Sequence, residues 1–80
     1  MNIGIIKSIV EKYSIDDLQK AEDCLLNENI LDIEIEGMDE GEQLTHVLAA
    51  IYIKQIMLEE NVNVTQAVRL YTQRVRNSIS

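Results

Sequence analysis

Proline, phenylalanine and tryptophan are absent from this 80-residue chain, cysteine occurs once and glycine three times. Each shortage excludes something. Without proline, nothing interrupts a helix except at a few glycine or asparagine positions. A single cysteine, Cys24, rules out a disulfide within one chain. Together with a start that does not resemble a signal peptide, it makes a reducing cytoplasm the expected location. Three tyrosines are the only aromatics, so the core has to be built from Ile, Leu and Val, with Met as filler. The longest apolar run, residues 47–53, is seven residues, far short of the ~20 needed to span a bilayer. What the chain does have is aliphatic bulk. Hydrophobic residues make up 46% of it, too much for a disordered segment. The expectation is a single helical domain over residues 1–80, near the lower size limit for one core. A domain so small is helped by tight helix packing, a metal or self-association.

Positive charge is also scarce, and it is sorted. The net charge is −7; residues 16–42 hold eleven acids against one base, Lys20. All three arginines, Arg69, Arg74 and Arg76, fall in the last twelve residues, which contain no acid. Opposite fields on one small surface favour contact between copies or with a charged protein partner. The negative total argues against non-specific binding to nucleic acid or an anionic membrane, unless the basic end acts locally.

Hydrophobic spacing predicts four helices. Over residues 3–13, Ile6, Ile9, Val10 and Tyr13 recur at three-four spacing. Ser14 reads as an N-cap with Asp17 in the capping-box position, Asp16 and Asp17 suiting the positive end of the helix dipole. This second helix runs to about Asn27, burying Leu18, Ala21 and Leu25, and stops at Asn27-Glu28-Asn29. Asp39 with Glu42 starts a third helix, about 40–60, which is apolar on nearly all sides. Leu44, Val47, Leu48, Ile51, Gln55 and Leu58 lie along one stripe, and Ala49, Ala50, Ile53, Ile56 and Met57 make most of another. Three neighbours can hardly cover both stripes, so a second copy is expected to pack there. Asn63 with Gln66 caps a last helix, about 64–78, burying Val64, Val68, Tyr71 and Val75 and turning its arginines outward.

Between the second and third helices the period changes to two. Across residues 30–36, Ile33 and Ile35 point one way and Asp32, Glu34 and Glu36 the other. This is a short extended arm, or a strand that pairs with the same segment of another copy. The alternating acids oppose such pairing, which favours the arm docked by its isoleucines.

The candidate chemistry is thin. Glu42 and His46 share a helix face at i,i+4, with Asp39 and Glu40 one turn earlier, and could ligate a divalent metal. One pair supplies only two ligands, unless a dimer axis doubles them, and Glu42 also serves as a capping residue. Residues 37–42, Gly-Met-Asp-Glu-Gly-Glu, lack the frame of an EF-hand and the lysine of a P-loop, so they read as a turn into a capped helix. Cys24 has acidic neighbours, which disfavour a thiolate, and reads as a packed thiol. No serine stands in a nucleophile elbow. Tyr71 to Ser78, with Arg74 and Arg76, is the one stretch that could contact a nucleic-acid backbone. Its arginines could equally answer the helix dipole or the acidic arm.

The segment from Glu36 to Ala50 (EGMDEGEQLTHVLAA) and the segment from Tyr71 to Ile79 (YTQRVRNSI) resemble a small family of uncharacterised bacterial proteins of about this length. The likeness lies mainly over residues 36–80. It implies a stand-alone cytoplasmic bacterial protein and transfers no activity, cofactor, partner or site residue. The combined expectation is a mainly α, compact four-helix domain with an extended arm or strand at about 30–36. It self-associates or binds a protein partner through Glu34 and Glu36 on one side and Arg69, Arg74 and Arg76 on the other. A metal-binding or catalytic role for Glu42 and His46 is the alternative, and nucleic-acid contact by the last helix is the third reading.

Overall fold

Local capping chemistry decides where this chain turns. The computed structural model describes residues 3–31 and 33–79. Four helices follow one another: α1 (Ile3–Lys12), α2 (Ile15–Leu26), α3 (Glu40–Glu60) and α4 (Val64–Ile79). Ser14 starts α2 with a reciprocal pair: the Asp17 N–H donates to Ser14 Oγ at 3.2 Å and the Ser14 N–H to Asp17 Oδ2 at 3.3 Å. Asn63 and Gln66 exchange the same two bonds at the start of α4, at 2.9 and 3.2 Å. At α3 the expected box is only half made. Asp39 accepts from the Glu42 N–H at 2.8 Å, but the Glu42 carboxylate takes the N–H of Met38 at 3.4 Å, one residue further back.

The helix stops are equally local. α2 ends in a Schellman motif: the Asn29 N–H reaches Cys24 O at 2.8 Å and the Glu28 N–H reaches Leu25 O at 3.3 Å. That closure puts Glu28 in the left-handed region at φ 57°. Asn61 ends α3 in the same way, at φ 53° and ψ 51°, and the Val62 N–H reaches Met57 O at 3.3 Å.

α3 is the axis of the molecule. At about 1.5 Å per residue its 21 residues span roughly 31 Å, comparable with the longest dimension, 32 Å. α1, α2 and α4 all pack on it, and α1 also touches α4. The radius of gyration, 12.4 Å, is close to the ~12 Å of a compact chain this long. Three neighbours prove nearly sufficient. Val47, Ala49, Ala50, Ile51, Ile53 and Ile56 are buried, and among the large apolar side chains of α3 only Leu48, Tyr52 and Leu58 are exposed. The small pair Ala49 and Ala50 lets the surrounding helices come close enough to cover both stripes. α4 is the shallowest element. Val64, Val68, Tyr71 and Val75, expected in the core, are half-buried, and Ala67 of α4 is fully buried. The helix lies at the rim, on α3 and α1 alone.

The segment before α3 forms no strand among the described residues. Residues 30–31 and 33–37 are irregular; Asp32, part of the expected alternation, lies outside the described residues. A strand needs a ladder partner, and the described residues supply none. Ile35 is buried, Leu31 and Ile33 are half-buried, and Ile30 is exposed. No helix among the described residues is long and apolar enough to cross a membrane.

Candidate functional site

Two side chains from different helices grip the backbone of the irregular segment. At the end of α1, the Tyr13 hydroxyl donates to the carbonyl oxygen of Glu34 at 3.2 Å. From α3, Nδ1 of the fully buried His46 lies 2.8 Å from the carbonyl oxygen of Glu36. A carbonyl only accepts, so Nδ1 carries the proton. Between these clamps the Ile35 side chain is inserted into the core, while Glu34 and Glu36 are exposed. Gly37 completes the fit. A Cβ there would lie 2.9 Å from the backbone nitrogen of Gln43 and 2.8 Å from its Cγ, so only glycine lets the segment run this close to the first turn of α3.

The other ring nitrogen of His46, Nε2, faces Glu42 Oε1 at 3.9 Å. The pair expected to ligate a metal is therefore brought together, with His46 also committed to Glu36 and Glu42 also to Met38. Asp39 spends its carboxylate on the helix cap. Among the described residues no group of three or more His, Cys, Asp or Glu side chains is placed to hold a metal ion.

Glu34 and Glu36 line a groove with Ile5, Ile9, Lys12 and Tyr13 of α1 and the turn after it. Its volume is about 110 Å³, well below the ~300 Å³ at which small-molecule sites begin. The Lys12 ammonium stands 5.3 Å from the centroid of the Tyr13 ring, within cation–π range.

The three arginines of α4 do not act alike. Arg74 turns back onto α3. Its Nη1 donates to the Tyr52 hydroxyl at 3.4 Å, its Nη2 lies 3.5 Å from Glu60 Oε1, and its guanidinium is 6.0 Å from the Tyr52 ring centroid. Tyr52 in turn meets Tyr71, ring centroids 5.5 Å apart. The Arg74 pKa is raised, first by the Tyr52 hydrogen bond, with Glu60 and Glu59 adding to it. Arg69 and Arg76 are exposed. They flank an open hollow of about 370 Å³ with Val68, Thr72 and Gln73. Neither forms an ion pair among the described residues, and the same holds for Glu34 and Glu36. Among the described residues no ion pair joins the acidic segment to the arginines, and Arg74 meets Glu60 instead.

Cys24 is half-buried and borders a hollow with Asp17, Lys20 and Ile33, as a packed thiol on an amphipathic helix would. Sequence reading missed Tyr13 and Tyr52 as polar partners. Their contacts join residues 21 and 22 positions apart, and no local pattern encodes them.

Compared with known families, residues 1–80 match the model of a family of unknown function (DUF6952). The match extends over the N-terminal half as well, beyond the segments that carry the resemblance by eye. No curated protein matches the chain, and no solved structure does.

Proposed function

The chain belongs to a family of unknown function, and we propose that it is a small protein-interaction module that recognises an oppositely charged protein surface. Its recognition groups are Glu34 and Glu36 at one edge and Arg69 and Arg76 on the outer face of α4. One observation carries the reading. Arg74 is engaged with Glu60 and Tyr52, whereas these four charged side chains have no ion-pair partner among the described residues. An exposed arginine with its fork free can grip a carboxylate through two parallel bonds. The irregular segment, docked through Ile35, holds its two acids on a fixed edge, and that lowers the ordering cost of a contact.

The alternatives have less behind them. A metal site on Glu42 and His46 has two donors in one chain, and His46 is fully buried, away from any donor a second copy could bring. Nucleic-acid contact would rest on two outward arginines of a chain at net −7, too little attraction at physiological salt.

The test is sedimentation of the complex purified gently from its native cell, measured across a salt series beside an Arg69→Glu/Arg76→Glu variant. A particle heavier than the monomer that shrinks with salt and is lost in the variant supports the reading. A mass indifferent to both salt and the substitutions overturns it.

A further inference from the structure

We infer that the partner is a second copy of this chain, and that the groove beneath Tyr13 receives an arginine, Arg69 or Arg76, from the other copy's α4. This rests on the interaction reading above and adds the occupant and the site.

The groove suits one cationic side chain. Its ~110 Å³ accommodates a head group and not a small-molecule ligand. Ile5 and Ile9 offer an apolar wall for the methylene stem of an arginine. Glu34 and Glu36 offer two carboxylates, and Tyr13 a ring that already attracts the Lys12 ammonium. With Lys12 counted, the groove still carries one net negative charge. The backbone that bears these carboxylates is held before any partner arrives, because Tyr13 and His46 bond to the carbonyls of Glu34 and Glu36. Tyr13 and His46 are positioning residues in this scheme.

The occupant follows from charge complementarity. Arg69 and Arg76 are two helical turns apart, about 10.5 Å along the axis, on a face with no internal ion pair. Among the described residues they form no ion pair with Glu34 or Glu36. The groove and the hollow of α4 share no residue, and α1, which lines the groove, is one of the two helices packed against α4. Two copies related by a two-fold axis make the contact twice, each groove taking an arginine of the other chain, so the assembly closes at the dimer.

The experiment is a charge exchange, read by sedimentation of the pure recombinant protein at low salt. The wild type sediments as a dimer that dissociates as salt rises. Glu34→Arg/Glu36→Arg and Arg69→Glu/Arg76→Glu each weaken self-association by about tenfold or more, and an equimolar mixture of the two variants recovers a dimer. Tyr13→Phe keeps the ring, removes the clamp on Glu34, and weakens association at temperatures well below its unfolding midpoint, where a purely structural role would leave the dimer intact. If the pure wild type stays monomeric while the native-cell complex remains salt- and arginine-dependent, the second-copy inference falls and the interaction reading stands. A dimer indifferent to the exchange, or variants that do not complement, also overturns the inference.

Discussion

Glu28 holds a backbone conformation that its side chain opposes. The Schellman closure of α2 requires the left-handed region at this position, and Glu28 occupies it at φ 57°. For an L-residue the crowding of Cβ against the following carbonyl costs about 1–2 kcal/mol. Glycine removes that cost and gives back about 0.5–1 kcal/mol through its freer unfolded state. A second term is electrostatic. The Glu28 carboxylate lies just past the C-terminus of α2, where the dipole is negative and the last turn has no basic residue, an unfavourable interaction of a few tenths of a kcal/mol. The two terms separate experimentally. Glu28→Ala removes the charge and keeps the Cβ, so it gains only the electrostatic part. Glu28→Gly gains both and exceeds the alanine variant by roughly 0.5–1 kcal/mol, which for a domain this size is about 2–8 °C in Tm. Asn61 provides the internal control. It holds nearly the same conformation, φ 53°, but asparagine tolerates that region, so Asn61→Gly changes stability by less than about 0.5 kcal/mol. Thermal unfolding followed by circular dichroism reads all three. A glycine variant at position 28 no more stable than the alanine one refutes the claim that the left-handed backbone is what strains this turn.

The two glycines flanking Met38-Asp39-Glu40 give opposite expectations. Gly37→Ala drives a Cβ to 2.9 Å from the Gln43 backbone nitrogen and costs about 1–3 kcal/mol. Gly41→Ala meets nothing nearer than Asp39 Oδ1 at 3.4 Å, inside the first turn of α3, and is neutral or stabilising by a few tenths of a kcal/mol. Urea denaturation distinguishes them, and equal effects would contradict the close approach at Gly37. His46→Ala opens a cavity and leaves the Glu36 carbonyl without its donor, together about 2–4 kcal/mol. That is a large share of the roughly 4–12 kcal/mol expected for an 80-residue domain. A loss below about 1 kcal/mol in the same urea series would show that the imidazole is not what fastens the segment.

The boundaries of the fold were legible because they are written in short-range chemistry. Ser14 with Asp17 and Asn63 with Gln66 form the boxes their spacing implies, and the all-round apolar pattern of residues 40–60 marks the helix that the others surround. Two departures show how context decides. The period-two pattern at 30–36 left a strand open beside the docked arm, but alternation reports only which side chains face inward, and no strand forms among the described residues. The backbone's hydrogen bonds decide the conformation, and two of its carbonyls went to Tyr13 and His46. At Glu42, a reciprocal bond to Asp39 was displaced by one to Met38. The candidate site was half legible. Glu42 and His46 meet as i,i+4 spacing requires. The division of labour among the arginines depends instead on where α4 settles beside Tyr52 and Glu60, which no window of sequence contains.

That division narrows where function can reside. The polar groups that first suggested chemistry are largely absorbed by the fold itself: Asp39 and Glu42 at the start of α3, His46 and Tyr13 on the backbone of the connection, Arg74 on α3. The charges left over are Glu34, Glu36, Arg69 and Arg76, all exposed and all strong in water mainly through complementarity. The core, meanwhile, is largely closed by the neighbours of α3, which leave Leu48, Tyr52 and Leu58 of that helix exposed. A contact built from such parts is of the polar, salt-sensitive kind and not an obligate one that completes a core. On the proposed reading the folded chain persists on either side of the encounter, and the charge sorting visible in the sequence acts on the encounter and not on the fold.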